Sequence, residues 1–137
     1  MSQKIKVGVA GAGTMGAGIA QVAAQAGHEV VLFDSNAFAL NRAGENYVKI
    51  FDRLVEKEKY SRKEADTILA RIELSESITS VEDCLLVIEA IIEDMAIKQD
   101  LLKKLENLVV SDCVLASNTS PSLGMMIAPP YSLATLV

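Results

Sequence analysis

Three glycines decide most of what this chain can become, because Gly11-Ala12-Gly13-Thr14-Met15-Gly16 falls between a short apolar segment, Ile5–Ala10, and a stretch of helical periodicity. Gly11 permits a sharp turn out of a strand, and Gly13 has no side chain to hold a pyrophosphate away from the backbone. Gly16 lets the following helix lie close to that strand. The free amides of the helix's first turn, with the positive end of its dipole, then face the phosphates. A second apolar run, Glu29–Phe33, ends at Asp34, whose carboxylate can accept hydrogen bonds from ribose hydroxyls and repels the extra phosphate of NADP. Ser35 and Asn36 place no arginine beside it. Strand, turn, helix, strand and acid occur in the order that a dinucleotide site requires, and NAD is the cofactor expected.

At 137 residues, half of them hydrophobic and 23% charged, the chain reads as one domain able to bury a core without disulfides or metal. A net charge of -5 and the lack of a basic stripe argue against nucleic acid as a partner. The segment Val7–Gly27 carries no charge and follows Lys4 and Lys6, which resembles a leader or membrane helix. Its glycines and the polar pair Gln21 and Gln25 contradict that reading, so no membrane association and a cytoplasmic location are expected. Cys84 and Cys113 each open a buried-looking strand and read as reduced packing residues. A single histidine and no ligand cluster leave a metal site without support.

Periodicity supplies the remaining elements. Met15, Ile19, Val22, Ala23 and Ala26 recur at helical spacing and predict the face that packs on the sheet. A longer helix is expected from Asn36 to about Glu58, with Leu40, Tyr47, Phe51, Leu54 and Val55 inward. Ser61-Arg62-Lys63-Glu64 predicts a capping box that starts another helix through about Ala70. Strands are expected at Ile72–Leu74, Cys84–Ile88 and Val114–Ala116. Between the last two lies a helix with Leu101, Leu102, Leu105, Leu108 and Val109 inward and Lys98, Gln99, Lys103 and Lys104 mainly outward. The whole predicts an α/β fold, a Rossmann-like doubly wound parallel sheet ordered 3-2-1-4-5, with a helical-pair insertion between strands two and three.

In such a sheet the ligand lies beyond the carboxyl ends of the strands, at the switch point between the first and fourth. The glycine turn, the segment Glu89–Asp94 and the segment Ser117–Ser120 converge there, making their polar residues candidates for nicotinamide and substrate contacts. Lys57, Lys59, Arg62 and Lys63 form a basic cluster at the helical pair, readable as a solvated turn or as a seat for a polyanionic substrate.

The stretches Gly11–Gln21, Ile88–Asp94 and Ala116–Ser120 together resemble the amino-terminal domain of the short-chain L-3-hydroxyacyl-CoA dehydrogenases, which include bacterial 3-hydroxybutyryl-CoA dehydrogenases. The resemblance covers about residues 3 to 120 and implies oxidation of a 3-hydroxyacyl-CoA, with hydride passing to NAD, in fatty acid or butanoate metabolism. It implies that Glu93 and Lys98 contact the cofactor, that Ser120 serves both the nicotinamide side and the substrate oxygen, and that Lys57 approaches coenzyme A. Where the family has a serine earlier in that helix, this chain has Ile50. The family's catalytic histidine beyond the serine, its orienting glutamate and the all-helical second domain through which it dimerises have no counterpart in these residues. The organisation expected is an NAD-binding domain over residues 1–120 and an atypical tail over residues 121–137. His28 reads as structural, and the polypeptide is expected to bind NAD without family-like turnover. The competing readings are a non-catalytic NAD-binding module and a domain of the 3-hydroxyisobutyrate dehydrogenase type.

Overall fold

The computed structural model describes residues 4–91 and 95–117. Glu93, Ser120 and the tail expected over residues 121–137 lie outside the described residues. Five parallel strands, β1 (Lys6–Ala10), β2 (Glu29–Phe33), β3 (Ile72–Ser75), β4 (Leu86–Glu89) and β5 (Val114–Ser117), form one sheet in the order β3-β2-β1-β4-β5. This is the predicted doubly wound order.

The pairing register aligns the carboxyl edge of the sheet. Ser75, Phe33, Ala10, Glu89 and Ser117, the last residues of their strands, are successive cross-strand partners. Every segment that leaves a strand therefore starts from the same row. This gathers the glycine turn, Asp34 and the exits of β4 and β5 at one edge.

Helix α1 (Thr14–Gln25) returns from β1 to β2, and α2 (Ala37–Glu56) with α3 (Arg62–Ala70) forms the pair between β2 and β3. Asn36 caps α2 by accepting from the amides of Phe38 and Ala39, and the box predicted at Ser61 and Glu64 is formed in both directions. These three helices cover one face of the sheet, where Val7, Val9, Val30 and Leu32 meet Leu40, Tyr47, Phe51 and Ile68. The opposite face is covered by α4 (Met95–Leu108) and a 3₁₀ turn at Ile78–Val81, against Val31, Phe33, Val87 and Leu115. Strand residues alternate between the two cores because side chains on a strand have a period of two. Cys84 and Cys113 lie in the second core, unpaired and buried, just before β4 and β5.

Two expectations about faces are corrected. Gly16, Ala20 and Ala24 are the buried residues of α1, whereas Met15 and Val22 of the expected stripe are 53% and 66% exposed. Small side chains one turn apart let the helix backbone settle on the strands. The larger side chains beside them border an apolar groove of about 550 Å³, whose floor includes Ile5, Val7, Leu86 and Ile88. On α4, Gln99, Lys103 and Lys104 are exposed as expected, but Lys98 is turned inward and only 1% exposed.

Two polar contacts brace α1 from outside. The Tyr47 hydroxyl donates to the Ala17 carbonyl at 2.6 Å, and the Arg71 guanidinium donates to the Ala24 carbonyl at 2.8 Å, satisfying an acceptor in the helix's last turn. Burial pushes the Tyr47 hydroxyl's pKa upward, so it remains a donor.

Candidate cofactor site

Gly11 leaves β1 with a φ of +119°, a conformation that a β-carbon strongly disfavours. Its amide donates to the Phe33 carbonyl at 2.8 Å, fastening the turn to the end of β2. A β-carbon at Gly16 would lie 1.7 Å from the Gly11 carbonyl oxygen. That approach is what seats the first turn of α1 against the glycine turn. Gly13 differs from both, since a β-carbon there would meet no protein atom within 4 Å.

Gly13 is also the N-cap of α1 and, lacking a side chain, leaves the helix start without a side-chain cap. Gly13, Thr14 and Met15 are exposed, while Gly11, Ala12 and Gly16 are buried. The result is a positively polarised helix end with no side chain at its cap and no carboxylate in its first turn. A phosphate fits such an end by charge and by available space.

Beside it stands Asp34, half-buried and fixed at both oxygens. Oδ2 accepts from the Ala12 amide at 2.9 Å and Oδ1 accepts from the Asn36 amide at 2.8 Å. Each oxygen retains a second acceptor direction for a hydroxyl group. A cleft of about 310 Å³ opens next to it, lined by Gly11, Phe33, Asp34, Ser35, Glu76 and Ile91 on the sheet side, and by Ile97, Asp100, Leu101 and Lys104 of α4. The Lys104 ammonium pairs with Asp100 at 3.1 Å, leaving Asp34 and Glu76 to set the sign of the mouth. Glu76 was not among the sequence candidates. Only the turn after β3, which the pairing of Phe33 with Ser75 brings to this edge, places it there.

Lys98, early in α4, is a second candidate. Its ammonium is buried and has no hydrogen-bond partner among the described residues. Burying an ammonium without an acceptor costs several kcal/mol, and an oxygen-rich ligand is the kind of group that would offset it. On the same edge, Glu89 is fully buried, with its carboxylate accepting from the Ile91 amide and, at 2.8 Å, the Ser117 hydroxyl. Glu89 and Lys98 are the buried charged residues among those described.

The structure does not bring Lys57 to this edge. It ends α2, after 20 helical residues that span ~30 Å from the Asn36 cap beside Asp34. Within its basic cluster, Arg62 is paired with Asp52 at 2.7 Å and with Asp66 at 3.1 Å, so part of the charge read from the sequence is neutralised locally. Ile50 packs against the core instead of offering a hydroxyl. His28 lies just before β2, at the opposite end of the sheet, where its Nδ1 accepts from the Ile5 amide at 3.1 Å. No helix among the described residues is long and apolar enough to cross a membrane, and none of their side chains group as metal ligands.

Comparison with known proteins agrees with this geometry. The family profile described as "3-hydroxyacyl-CoA dehydrogenase, NAD binding domain" matches residues 6–129. A probable 3-hydroxybutyryl-CoA dehydrogenase of Deinococcus radiodurans is 45% identical over 116 residues, 85% of this chain and 41% of that protein. A 3-hydroxybutyryl-CoA dehydrogenase of Mycobacterium tuberculosis is 44% identical over 117 residues, 84% of this chain and 41% of that protein. Among solved structures, the (S)-3-hydroxybutyryl-CoA dehydrogenase of Ralstonia eutropha superposes with a TM-score of 0.81 at 37% identity, covering 86% of this chain and 42% of the other. The 3-hydroxybutyryl-CoA dehydrogenase of Escherichia coli K12 gives 0.82 at 35% identity, covering 87% and 25%. The chain thus spans about 41% of the length of these curated relatives. With the family profile matched over residues 6–129 and relatives up to 45% identical among those named, this chain belongs to the 3-hydroxyacyl-CoA dehydrogenase family, as its NAD-binding domain.

Proposed function

We propose that this chain is the NAD-holding part of an enzyme that oxidises the 3-hydroxyl of a 3-hydroxyacyl-CoA to a 3-oxo group. The observation that carries the reading is the start of α1 at Gly13, an N-cap with no side chain, beside Asp34, whose two oxygens are already oriented by the Ala12 and Asn36 amides. The turn from Gly11 through Ala12, Gly13, Thr14 and Met15 to Gly16 takes the diphosphate, and Asp34 takes the adenosine ribose. Glu93, Lys98 and Ser120 serve the nicotinamide side, with Ser120 also holding the substrate oxygen. Lys57 reaches toward coenzyme A. When bound, NAD supplies the acceptor for the hydride leaving the hydroxyl-bearing carbon.

The hydroxyl proton needs a base, and these 137 residues contain one histidine, His28. It is at the far end of the sheet and already accepts from Ile5. General base catalysis typically contributes 10²–10⁴-fold, so the 137-residue polypeptide binds NAD but turns over acyl-CoA very slowly or not at all. The position of His28 also favours a second reading of the polypeptide alone, a non-catalytic NAD-binding module.

Two measurements test this. Calorimetry should detect saturable NADH binding, and its absence at millimolar NADH with folded protein refutes the site. A steady-state assay with acetoacetyl-CoA and NADH should show little oxidation of NADH. Turnover at the rate of the family's enzymes would overturn the assignment of the base to groups outside these residues.

A further inference from the structure

Glu89 is unusual for a residue in a central parallel strand. β4 lies between β1 and β5, and its other core-facing position on the same side, Val87, is apolar. A leucine would pack at position 89 without desolvating a charge, whereas a buried carboxylate is tolerated only when it is hydrogen-bonded. Both oxygens accept a hydrogen bond here, each from a different segment. Oε2 holds the Ile91 amide, just beyond the end of β4, and Oε1 holds the Ser117 hydroxyl at the end of β5.

The row of strand ends shows what those segments serve. Asp34 follows β2 and the glycine turn follows β1, so the adenosine ribose and the diphosphate occupy that half of the edge. The remaining half of a dinucleotide then continues past Ala10 onto its next neighbours, Glu89 and Ser117. We propose that Glu89 is a positioning residue for the nicotinamide half of the cofactor, its buried carboxylate bracing the exits of β4 and β5 against each other. The inference rests on the NAD reading of the site and adds a residue whose hydrogen bonds go to neither the glycine turn nor Asp34. The glycine turn also has anchors of its own, the Gly11 amide on the Phe33 carbonyl and the Ala90 amide on the Ala10 carbonyl, each at 2.8 Å.

Comparing two ligands tests the proposal. ADP engages the adenosine and diphosphate positions, and NADH adds the second ribose and the nicotinamide. In Glu89→Leu and in Ser117→Ala, the Kd for NADH should rise about tenfold, the worth of one hydrogen bond to a charged group, with the Kd for ADP changed by less than about threefold. Glu89→Gln can still accept from Ile91 and donate to the Ser117 oxygen, so it should stay within about threefold of the wild type for both ligands. Unchanged NADH affinity in Glu89→Leu overturns the proposal. So does an equal loss for both ligands, which marks a purely structural role. If Glu89→Leu does not fold, Ser117→Ala decides by the same two outcomes. A wild-type chain that binds ADP as tightly as NADH also defeats it, whereas one that binds neither defeats the NAD reading on which it rests.

Discussion

The three glycines of the turn should respond to the same substitution in three different ways. An alanine methyl at position 16 would lie 1.7 Å from the Gly11 oxygen and 2.8 Å from its carbonyl carbon. Restoring even a tight contact means opening the spacing between turn and helix by ~1.5 Å. Gly11 cannot yield easily, because its amide is tied to Phe33 and a β-carbon's worth of movement toward Ala90 meets backbone. Overpacking of this kind costs about 2–3 kcal/mol, at the upper end of its usual range, even after alanine's better helix propensity is counted. Gly18, two residues on in the same helix, faces open space, so Gly18→Ala should stabilise by about 0.5–1 kcal/mol. For a chain of this size the melting temperatures of the two variants should differ by roughly 10 °C. Gly13→Ala should lower stability by no more than ~1 kcal/mol, a modest loss at an N-cap, yet weaken NADH markedly, because its methyl would occupy the space left for the diphosphate. Urea titration and NADH calorimetry on the three variants provide the measurements. Shifts of the same sign in Gly16→Ala and Gly18→Ala, or wild-type NADH affinity in Gly13→Ala, would refute the reasoning.

Two further outcomes follow from the electrostatics. A ligand at 100 times its Kd stabilises a fold by roughly 2.7 kcal/mol, so equal concentrations of NAD and NADP can be compared by thermal shift. With Asp34 and Glu76 at the mouth of the cleft, NAD should protect more, and stronger protection by NADP would contradict the role of Asp34. Burial pushes the Cys84 thiol up to about 12 and the Cys113 thiol up to about 11, from an ordinary value of 9.0. Both are held protonated in the fold under conditions that ionise them in the unfolded chain, so stability should fall as the pH climbs from about 9 toward 11. At pH 8.5 iodoacetamide should label neither cysteine until urea is added, and labelling of the folded chain at the rate of a free thiol would contradict this burial.

Much of the fold was legible because its signals are local and agree with one another. The capping box at Ser61 and Glu64, the apolar runs of β2 and β4, and the glycine turn each specify backbone over a few residues. The right-handed crossover rule then leaves few ways to join them, and the order β3-β2-β1-β4-β5 follows. Asp34 was legible for the same reason, since it must follow β2 directly. Its second task was not. The bond from the Ala12 amide to Asp34 spans 22 positions in sequence and requires β1 and β2 to be paired in register.

What escaped the sequence was decided by approach distance instead of residue type. In α1 the large apolar side chains suggested the sheet-facing stripe, but close packing selected Gly16, Ala20 and Ala24, because only small side chains let the backbone come near enough. On α4 the charge of Lys98 suggested solvent, yet the side chain is enclosed. Glu89 reads as the polar end of an apolar run until the register puts Ser117 directly across from it. In each case the sequence carries the residue and the sheet supplies its neighbour. The functional edge is accordingly where pattern reasoning alone falls short, since a cofactor site needs buried charge and close backbone contact where a merely stable fold would use aliphatic side chains.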